Sequence, residues 1–228
     1  RRVGPSLDWL HESRMILRNL PVIDQLNPTI VVCGAPNVGK SAFISSLSTG
    51  KMEVNHYPFT TKQLHVGHFN HRRVPHQLVD TPGLLDRPMS DRNAIEMQAI
   101  AAIEHVGSLC IFLMDISESC GTSLDDQHNL LEEVKSLLQD IDIIVVVSKA
   151  DLMNPLPSNW DEVKNSELEW DGEGEPNLPI LIDEEGCVTI SSTESVGVIA
   201  LRLEMARRCK ENNKTDNLTL PEGWYRKD

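Results

Sequence analysis

The chain has 228 residues, of which 40% are hydrophobic and 24% are charged, and its formal net charge is −13. This length suits one α/β domain with appendages, and the negative charge, which is concentrated between residues 161 and 185, disfavours direct RNA binding by that stretch. No apolar stretch reaches the roughly 20 residues that a membrane-spanning helix needs, and the five cysteines show no C-x-x-C spacing that would suggest a metal or redox motif. We therefore expect a monomer that does not insert into a membrane.

The first predicted element is a helix within residues 7–20. Its residues Trp9, Leu10 and Leu17 recur at helical spacing and share one face. We interpret residues 1–26 as the end of an upstream helical region. Because the chain begins at Arg1 rather than at a methionine, we also interpret it as part of a longer protein.

A glycine-rich loop follows, between a predicted strand and a predicted helix. Residues 34–41 read GAPNVGKS and match G-x-x-x-x-G-K-[ST], whose backbone N–H groups surround a polyphosphate in front of a helix N-terminus. In such a loop the ammonium group of Lys40 reaches the β- and γ-phosphates, and the hydroxyl of Ser41 ligates Mg²⁺. The alternative is an ordinary glycine-containing turn, which the downstream motifs disfavour. The nucleotide-binding residues predicted here are Gly34, Pro36, Asn37, Val38, Gly39, Lys40, Ser41 and Ala42.

Two further segments are predicted to contact the γ-phosphate. Residues 57–62 contain Thr60 and Thr61, and we predict that Thr61, in preference to Thr60, completes the Mg²⁺ coordination. The strand predicted at 76–80 ends in Asp80, which would hold Mg²⁺ through water. Gly83 then offers its N–H to the γ-phosphate without a side chain in the way. An ordinary turn would explain the segment if it stood alone. We predict Lys40, Thr61 and Gly83 as the groups that act in hydrolysis.

The residue after Gly83 is Leu84, at the position where Ras-like enzymes place the glutamine that orients the attacking water. A leucine side chain has no hydrogen-bonding group. Intrinsic GTP hydrolysis is therefore predicted to be slow.

The base is predicted to be read by residues 148–151, SKAD, which follow a very apolar run. Asp151 would accept hydrogen bonds from the two adjacent N–H donors of guanine, which adenine does not present. Lys149 belongs to the same motif. Ser148 replaces the usual asparagine or threonine, which weakens base binding by about 0.5–1.5 kcal/mol and leaves an ATPase of similar fold as an alternative.

A second base-binding loop is predicted at residues 188–192, VTISS. Backbone N–H groups of Ser191 and Ser192 would approach the carbonyl of the base. An edge strand followed by a turn explains this segment nearly as well.

Hydrophobic periodicity predicts an α/β fold with a mostly parallel six-stranded sheet and helices on both faces. The motifs above fall at the carboxyl ends of strands, where open α/β sheets bind ligands. Strands are predicted at 29–34, 63–69, 76–80, 108–115, 142–148 and 187–191, with the second and third forming an antiparallel hairpin. Helices are predicted at 93–103, 124–138 and 196–208.

The negative charge is concentrated between residues 161 and 185. We interpret residues from about 154 to 186 as an acidic insertion that is mobile or partly disordered. It is either a solvated loop without a partner or a docking surface for a basic protein. The predicted boundaries are thus 27–212 for a GTPase domain with this insertion and 213–228 for a C-terminal extension.

Several stretches together resemble the Nog (nucleolar GTP-binding protein) family of Obg-like P-loop GTPases. They include the motifs at 34–41, 57–62 and 80–88, and also residues 92–100 and 114–121, which lie outside the generic GTPase motifs. The resemblance implies that the chain binds GTP and GDP with Mg²⁺ and hydrolyses GTP. Asn37 is also similar to the asparagine that helps hold a K⁺ ion in related GTPases.

The same resemblance implies a role in assembly of the large ribosomal subunit. Its partner would be a precursor particle of rRNA and ribosomal proteins, and its location the nucleolus in the nucleus. A relative in a mitochondrion or chloroplast is the alternative location. The alternative function is a nucleotide-binding scaffold with little or no hydrolysis that docks on a ribosomal or other basic protein.

Overall fold

The computed structural model covers most of the predicted nucleotide-binding domain. The described residues are 27–50, 53–56, 63–80, 85, 100, 103–104, 106–169, 177–183 and 187–211. Residues 1–26 and 213–228 lie outside them, as does most of the helix predicted at 93–103.

Within the described residues, seven strands form one sheet in the order β2-β3-β4-β1-β5-β6-β7. Strand β1 is parallel to β4 and β5, and β6 is parallel to β5 and β7, whereas β3 is antiparallel to β2 and β4. The strands are β1 (Thr29–Cys33), β2 (Glu53–His56), β3 (Gln63–His71), β4 (Val74–Asp80), β5 (Leu109–Met114), β6 (Ile143–Val147) and β7 (Val188–Thr189).

All six predicted strands are present, so the mostly parallel α/β sheet is confirmed. One additional strand, β2, was not predicted from the sequence. Its sequence EVNH has no apolar run, and it is a strand because it pairs along the outer edge of β3. Strands β1 and β5 are buried along their whole length, as expected for central strands that are covered on both faces.

Four α-helices of at least eight residues lie within the described residues: α1 (Lys40–Leu47), α2 (Leu124–Leu137), α3 (Trp160–Glu169) and α4 (Val198–Glu211). The helices predicted at 124–138 and 196–208 correspond to α2 and α4. Helix α2 begins after Ser123, whose side chain accepts a hydrogen bond from the N–H of Asp126 at 3.2 Å. This is the usual capping arrangement of a helix N-terminus.

Within the acidic insertion of about 154–186 that was predicted to be mobile or partly disordered, residues 160–169 form the folded helix α3. Strands β6 and β7 are parallel neighbours, and two parallel strands require a crossover connection, usually through a helix. Helix α3 supplies it. Its acidic residues Asp161 and Glu162 lie in the first turn, where the helix dipole favours negative charge, so the acidic composition is compatible with a folded helix.

The main hydrophobic core lies between the sheet and the helices on its faces. A second, smaller cluster consists of Ala150, Val163, Leu181 and Val196, with Met153 and Trp160 packed against it. It joins α3 to the ends of β6 and β7. In the part of the chain that the structure describes, no helix has the length and hydrophobicity needed to cross a membrane.

Candidate functional site

The glycine-rich loop connects β1 to α1 in a conformation that its two glycines make possible. Gly34 has φ +135°, and a Cβ atom there would lie 2.3 Å from the carbonyl oxygen of Leu113 in β5. Gly39 has φ +102° and is the N-cap of α1. A side chain at Gly34 would displace the loop from the sheet, so this glycine is required for the close approach.

Lys40 is folded back across this loop. Its Nζ atom donates to the carbonyl oxygens of Gly34 and Ala35, both at 2.9 Å, and the residue is buried. The ammonium group is thereby held over the loop whose N–H groups would face an anion. Pro36 and Asn37 form the exposed tip of the loop, and the loop as a whole presents positive charge and backbone donors.

Asp80, the last residue of β4, faces the first turn of α1. Its Oδ2 atom accepts a hydrogen bond from the Ser41 hydroxyl at 2.9 Å, and the residue is 1% exposed. Its Oδ1 atom is buried and has no hydrogen-bond partner among the described residues. A buried oxygen without a partner calls for an explanation such as an ion or a water molecule.

These groups fit Mg²⁺. A hydroxyl and a carboxylate are hard oxygen donors of the kind that Mg²⁺ prefers, together with phosphate oxygens and water. His65 of β3 lies partly buried beside them. Its Nδ1 is 3.7 Å from Asp80 Oδ2. Thr61, Thr60 and Gly83 lie outside the described residues.

Ser148 joins the predicted base-binding motif to the glycine-rich loop. Its hydroxyl lies 2.7 Å from the carbonyl oxygen of Val38 and 3.0 Å from that of Met114, and the residue is buried. The hydroxyl therefore donates its single proton to a backbone carbonyl of the protein rather than to a base. Ser148 thus connects the loop to the strand end that carries Asp151, a role that the sequence did not indicate.

We expect Ser148→Ala to weaken nucleotide binding about threefold to tenfold, because one neutral buried hydrogen bond contributes about 0.5–1.5 kcal/mol. The carbonyl oxygen of Val38 would lose its donor, whereas that of Met114 keeps the backbone N–H of residue 148, and the loop would be held less firmly. Titration of a fluorescent GDP analogue measures this effect. Ser136→Ala on the exposed face of α2 is the control, and equal affinity of both variants would contradict the role given to Ser148.

Asp151 lies in the short 3₁₀ turn Ala150–Leu152 that follows β6. Its Oδ1 atom accepts a hydrogen bond from the Ser191 hydroxyl at 2.5 Å. Ala150 is tied to the same loop, since its N–H donates to the carbonyl oxygen of Ile190 at 3.0 Å. The two predicted base-binding segments are therefore in direct contact.

Ser191 contacts the site differently from the prediction. Its backbone N–H donates to the carbonyl oxygen of Val196 at 2.9 Å within a short antiparallel bridge, so it is not directed at a base carbonyl. The hydroxyl instead orients Asp151. Ser192 follows in the turn formed by residues 192–195.

A buried carboxylate that sequence analysis did not single out lies next to these loops. Asp115 follows β5 and accepts hydrogen bonds from Lys149 Nζ at 2.7 Å, from the hydroxyls of Ser117 and Ser119, and from the N–H of Cys120. Burial opposes its ionisation, but the hydrogen bonds from Lys149, Ser117 and Ser119 outweigh burial and hold the pKa of Asp115 below its ordinary value. Lys149 thus belongs to this network.

The signal for Asp115 was present in the sequence. Like Asp80, it directly follows a buried apolar strand, and residues 114–121 belong to the stretches that carry the family resemblance. Its backbone is also fixed, because its N–H and C=O both bond to the buried amide of Gln127 in α2, at 2.8 and 3.0 Å.

We expect Asp115→Asn to lower the free energy of unfolding by about 2–3 kcal/mol, because it removes one partner of a largely buried ion pair. Urea denaturation at pH 7 measures the loss, with exposed Asp140→Asn as the control. A carboxyl whose pKa is lowered by folding stabilises the protein above about pH 4 and loses this effect as the pH falls further. The difference between wild type and D115N should therefore shrink below about pH 4. A difference that is small at pH 7, or that persists at pH 3, would contradict the assignment.

The predicted site residues within the described part of the chain converge on the carboxyl edge of the sheet. The structure places there the residues Gly34, Pro36, Asn37, Val38, Gly39, Lys40, Ser41, Ala42, Asp80, Ser148, Lys149, Asp151, Ser191 and Ser192. A loop that can surround phosphate and a hydroxyl–carboxylate pair that fits Mg²⁺ lie together at the carboxyl edge of a mostly parallel sheet. This arrangement is that of a P-loop GTPase domain.

Comparison with known proteins gives the family. Residues 94–151 match the sequence profile described as NOG1: Nucleolar GTP-binding protein 1. The crystal structure of a nucleolar GTP-binding protein 1 homologue from Plasmodium falciparum is 33% identical and superposes with a TM-score of 0.65, covering 87% of this chain and 94% of that one. The chain therefore belongs to the nucleolar GTP-binding protein 1 family.

Curated relatives agree with this assignment. The nucleolar GTP-binding protein 1 of Drosophila melanogaster is 36% identical over 224 residues, which is 96% of this chain and 33% of the relative. The chain thus spans about a third of the length of the curated relatives it matches. The G domain of the T. maritima FeoB iron transporter, 19% identical with a TM-score of 0.55 and with 79% and 98% of the two chains covered, shows the same fold.

Proposed function

We propose that this chain binds GTP and GDP together with Mg²⁺, hydrolyses GTP slowly, and acts as a timing switch in assembly of the large ribosomal subunit. The observation that carries the proposal is the hydrogen bond from the Ser148 hydroxyl to the Val38 carbonyl. This bond directly connects the predicted phosphate loop to the predicted base-reading motif, which supports one shared nucleotide site.

Each residue of the site has a definite task in this proposal. When nucleotide binds, the ammonium group of Lys40 donates to β- and γ-phosphate oxygens instead of to the carbonyl oxygens of Gly34 and Ala35, and it neutralises part of the phosphate charge. Ser41 and Asp80 hold Mg²⁺, which when bound neutralises charge developing on the phosphates. Asp151, oriented by Ser191, reads the two adjacent N–H groups of guanine.

Thr61, in preference to Thr60, and Gly83 complete the proposal at the γ-phosphate. The threonine hydroxyl would add a ligand to Mg²⁺, and the N–H of Gly83 would donate to the phosphate. Leu84 has no group that orients water, so hydrolysis is slow until a partner or a backbone group supplies that function.

The ribosomal role and the nucleolar location rest on the family. The relatives carry the name nucleolar GTP-binding protein 1, and the chain spans only part of them. The net charge of −13 favours contact with the basic ribosomal proteins of a precursor particle over contact with its rRNA.

Single-turnover hydrolysis of GTP, with and without large-subunit precursor particles, tests this function. The proposed switch hydrolyses slowly alone and faster with the particles. A nucleotide-binding scaffold, which the absence of a water-orienting group at Leu84 favours, shows no stimulation. A hydrolysis rate that the particles do not raise would therefore contradict the switch and favour the scaffold.

We expect GTP turnover to be about tenfold or more faster in K⁺ than in Na⁺, because a cation beside the β–γ bridge stabilises charge that develops in the transition state. Asn37, at the exposed tip of the phosphate loop with φ +60°, is the residue that would help hold the ion. Initial rates in matched KCl and NaCl measure the effect, with LiCl as a further comparison. Equal rates in K⁺ and Na⁺ would remove the potassium ion from the proposal.

A further inference from the structure

We propose that α3 supports the base-binding loops and that Glu167 on α3 is a positioning residue for guanine selection. The proposal rests on the proposed function, because it assigns a task within the same nucleotide site. The carboxylate of Glu167 reaches the segment that connects β7 to α4.

Glu167 is a buried carboxylate at the N-terminus of another helix. It is 6% exposed, its Oε2 atom accepts from the N–H of Gly197 at 2.9 Å, and its Oε1 atom accepts from the N–H of Ala200 at 2.9 Å. Both donors lie at the start of α4, where N–H groups have no partner within the helix. Burial raises the pKa of Glu167, and the hydrogen bonds from Ala200 and Gly197 oppose this rise. The carboxylate therefore fixes the start of α4.

The start of α4 is directly joined to the loop that orients Asp151. Gly197 follows Val196, whose N–H and C=O both bond to the backbone of Ser191, at 3.0 and 2.9 Å. Gly197 has φ +76°, and a Cβ atom there would lie 2.8 Å from the carbonyl oxygen of Thr189. Little space is left for this segment to shift. A displacement of Gly197 would therefore move Ser191, whose hydroxyl donates a hydrogen bond to Asp151.

A second set of contacts joins α3 to the same loops. Val163 of α3 shares the small buried cluster with Ala150, which belongs to the base-binding motif, and with Val196. Lys164 of α3 also pairs with Glu194 at the tip of the loop, with 3.4 Å between Nζ and Oε2. Helix α3 thus contacts both predicted base-binding segments. Among these contacts, those of Glu167 are polar and buried.

The experiment compares GDP with IDP, whose base lacks the 2-amino group that Asp151 reads. Dissociation constants of both nucleotides are measured by calorimetry for wild type, Glu167→Gln and Glu169→Gln. Glu169 is an exposed carboxylate on the same helix and is the matched control. Glu167→Asp keeps both acceptor oxygens on a shorter side chain, and it serves the same comparison if Glu167→Gln does not fold.

We expect Glu167→Gln to reduce the preference for GDP over IDP about threefold to tenfold, since one buried acceptor is lost, whereas Glu169→Gln keeps the wild-type ratio. If the role of Glu167 is purely structural, Glu167→Gln lowers the unfolding temperature but leaves the ratio of the GDP and IDP dissociation constants unchanged in the folded protein. That result would overturn this inference but not the proposed function. Wild-type protein that binds neither nucleotide would overturn the proposed function as well.

Discussion

Replacing Lys40 by methionine is expected to lower the affinity for GTP by about 100-fold, or about 2.8 kcal/mol. Charge-assisted hydrogen bonds to phosphate are the strongest polar contacts that this site can make, and Lys40 supplies the ammonium group at the phosphate loop. Methionine keeps the apolar stem of the side chain and removes only its charge and donors. Calorimetric titration of GTP in the presence of Mg²⁺ measures the loss.

Two controls separate charge at this position from charge in general. Lys135→Met removes an exposed lysine of α2 that pairs only with Glu132 in the described structure and should bind GTP like wild type. Circular dichroism checks that K40M is folded, because Lys40 also bonds to the carbonyls of Gly34 and Ala35. Folded K40M with wild-type affinity would show that the loop does not bind the phosphates.

Replacing Asp151 by asparagine is expected to weaken GDP binding about 100-fold or more and to strengthen binding of xanthosine diphosphate. In the proposed site the carboxylate would accept from two N–H groups of guanine, whereas an asparagine presents one acceptor and one donor and would match the carbonyl group of xanthine. The amide can still accept from the Ser191 hydroxyl, so the loop arrangement should survive the change. Titrations of both nucleotides against wild type and D151N give the two affinities.

Asp161→Asn is the control for this substitution, because Asp161 is an exposed carboxylate in the first turn of α3. It should leave the preference for guanine unchanged. An unchanged preference in D151N would remove the guanine assignment and favour the ATPase alternative that Ser148 left open.

The sheet was largely predictable because its predicted strands are either apolar runs of the length that a buried strand needs or segments in which apolar and polar residues alternate. Strand β2 could not be found in this way, since EVNH is polar and its pairing with β3 decides its conformation. Helix α3 was mistaken for a mobile loop because acidic composition was given more weight than topology. The parallel arrangement of β6 and β7 already required a crossover between them.

The position of the candidate site was predictable from short motifs, since the glycine-rich loop, Asp80 and Asp151 lie at the ends of predicted strands. The contacts that connect these motifs were not, because they join residues far apart in the chain. Ser148 reaches Val38 and Glu167 reaches Gly197 only in the folded protein. Departures from a motif can therefore acquire a structural role, as Ser148 does when its hydroxyl bonds to the phosphate loop.

Calorimetry on the wild-type protein with Mg²⁺ tests the central claim most directly, namely that the phosphate loop and Asp151 together bind a guanine nucleotide. The expected result is saturable heat from one site per chain for GDP and for GTP, and none for ATP at the same concentrations. Absence of heat for both guanine nucleotides, from protein shown to be folded by circular dichroism, would contradict the claim.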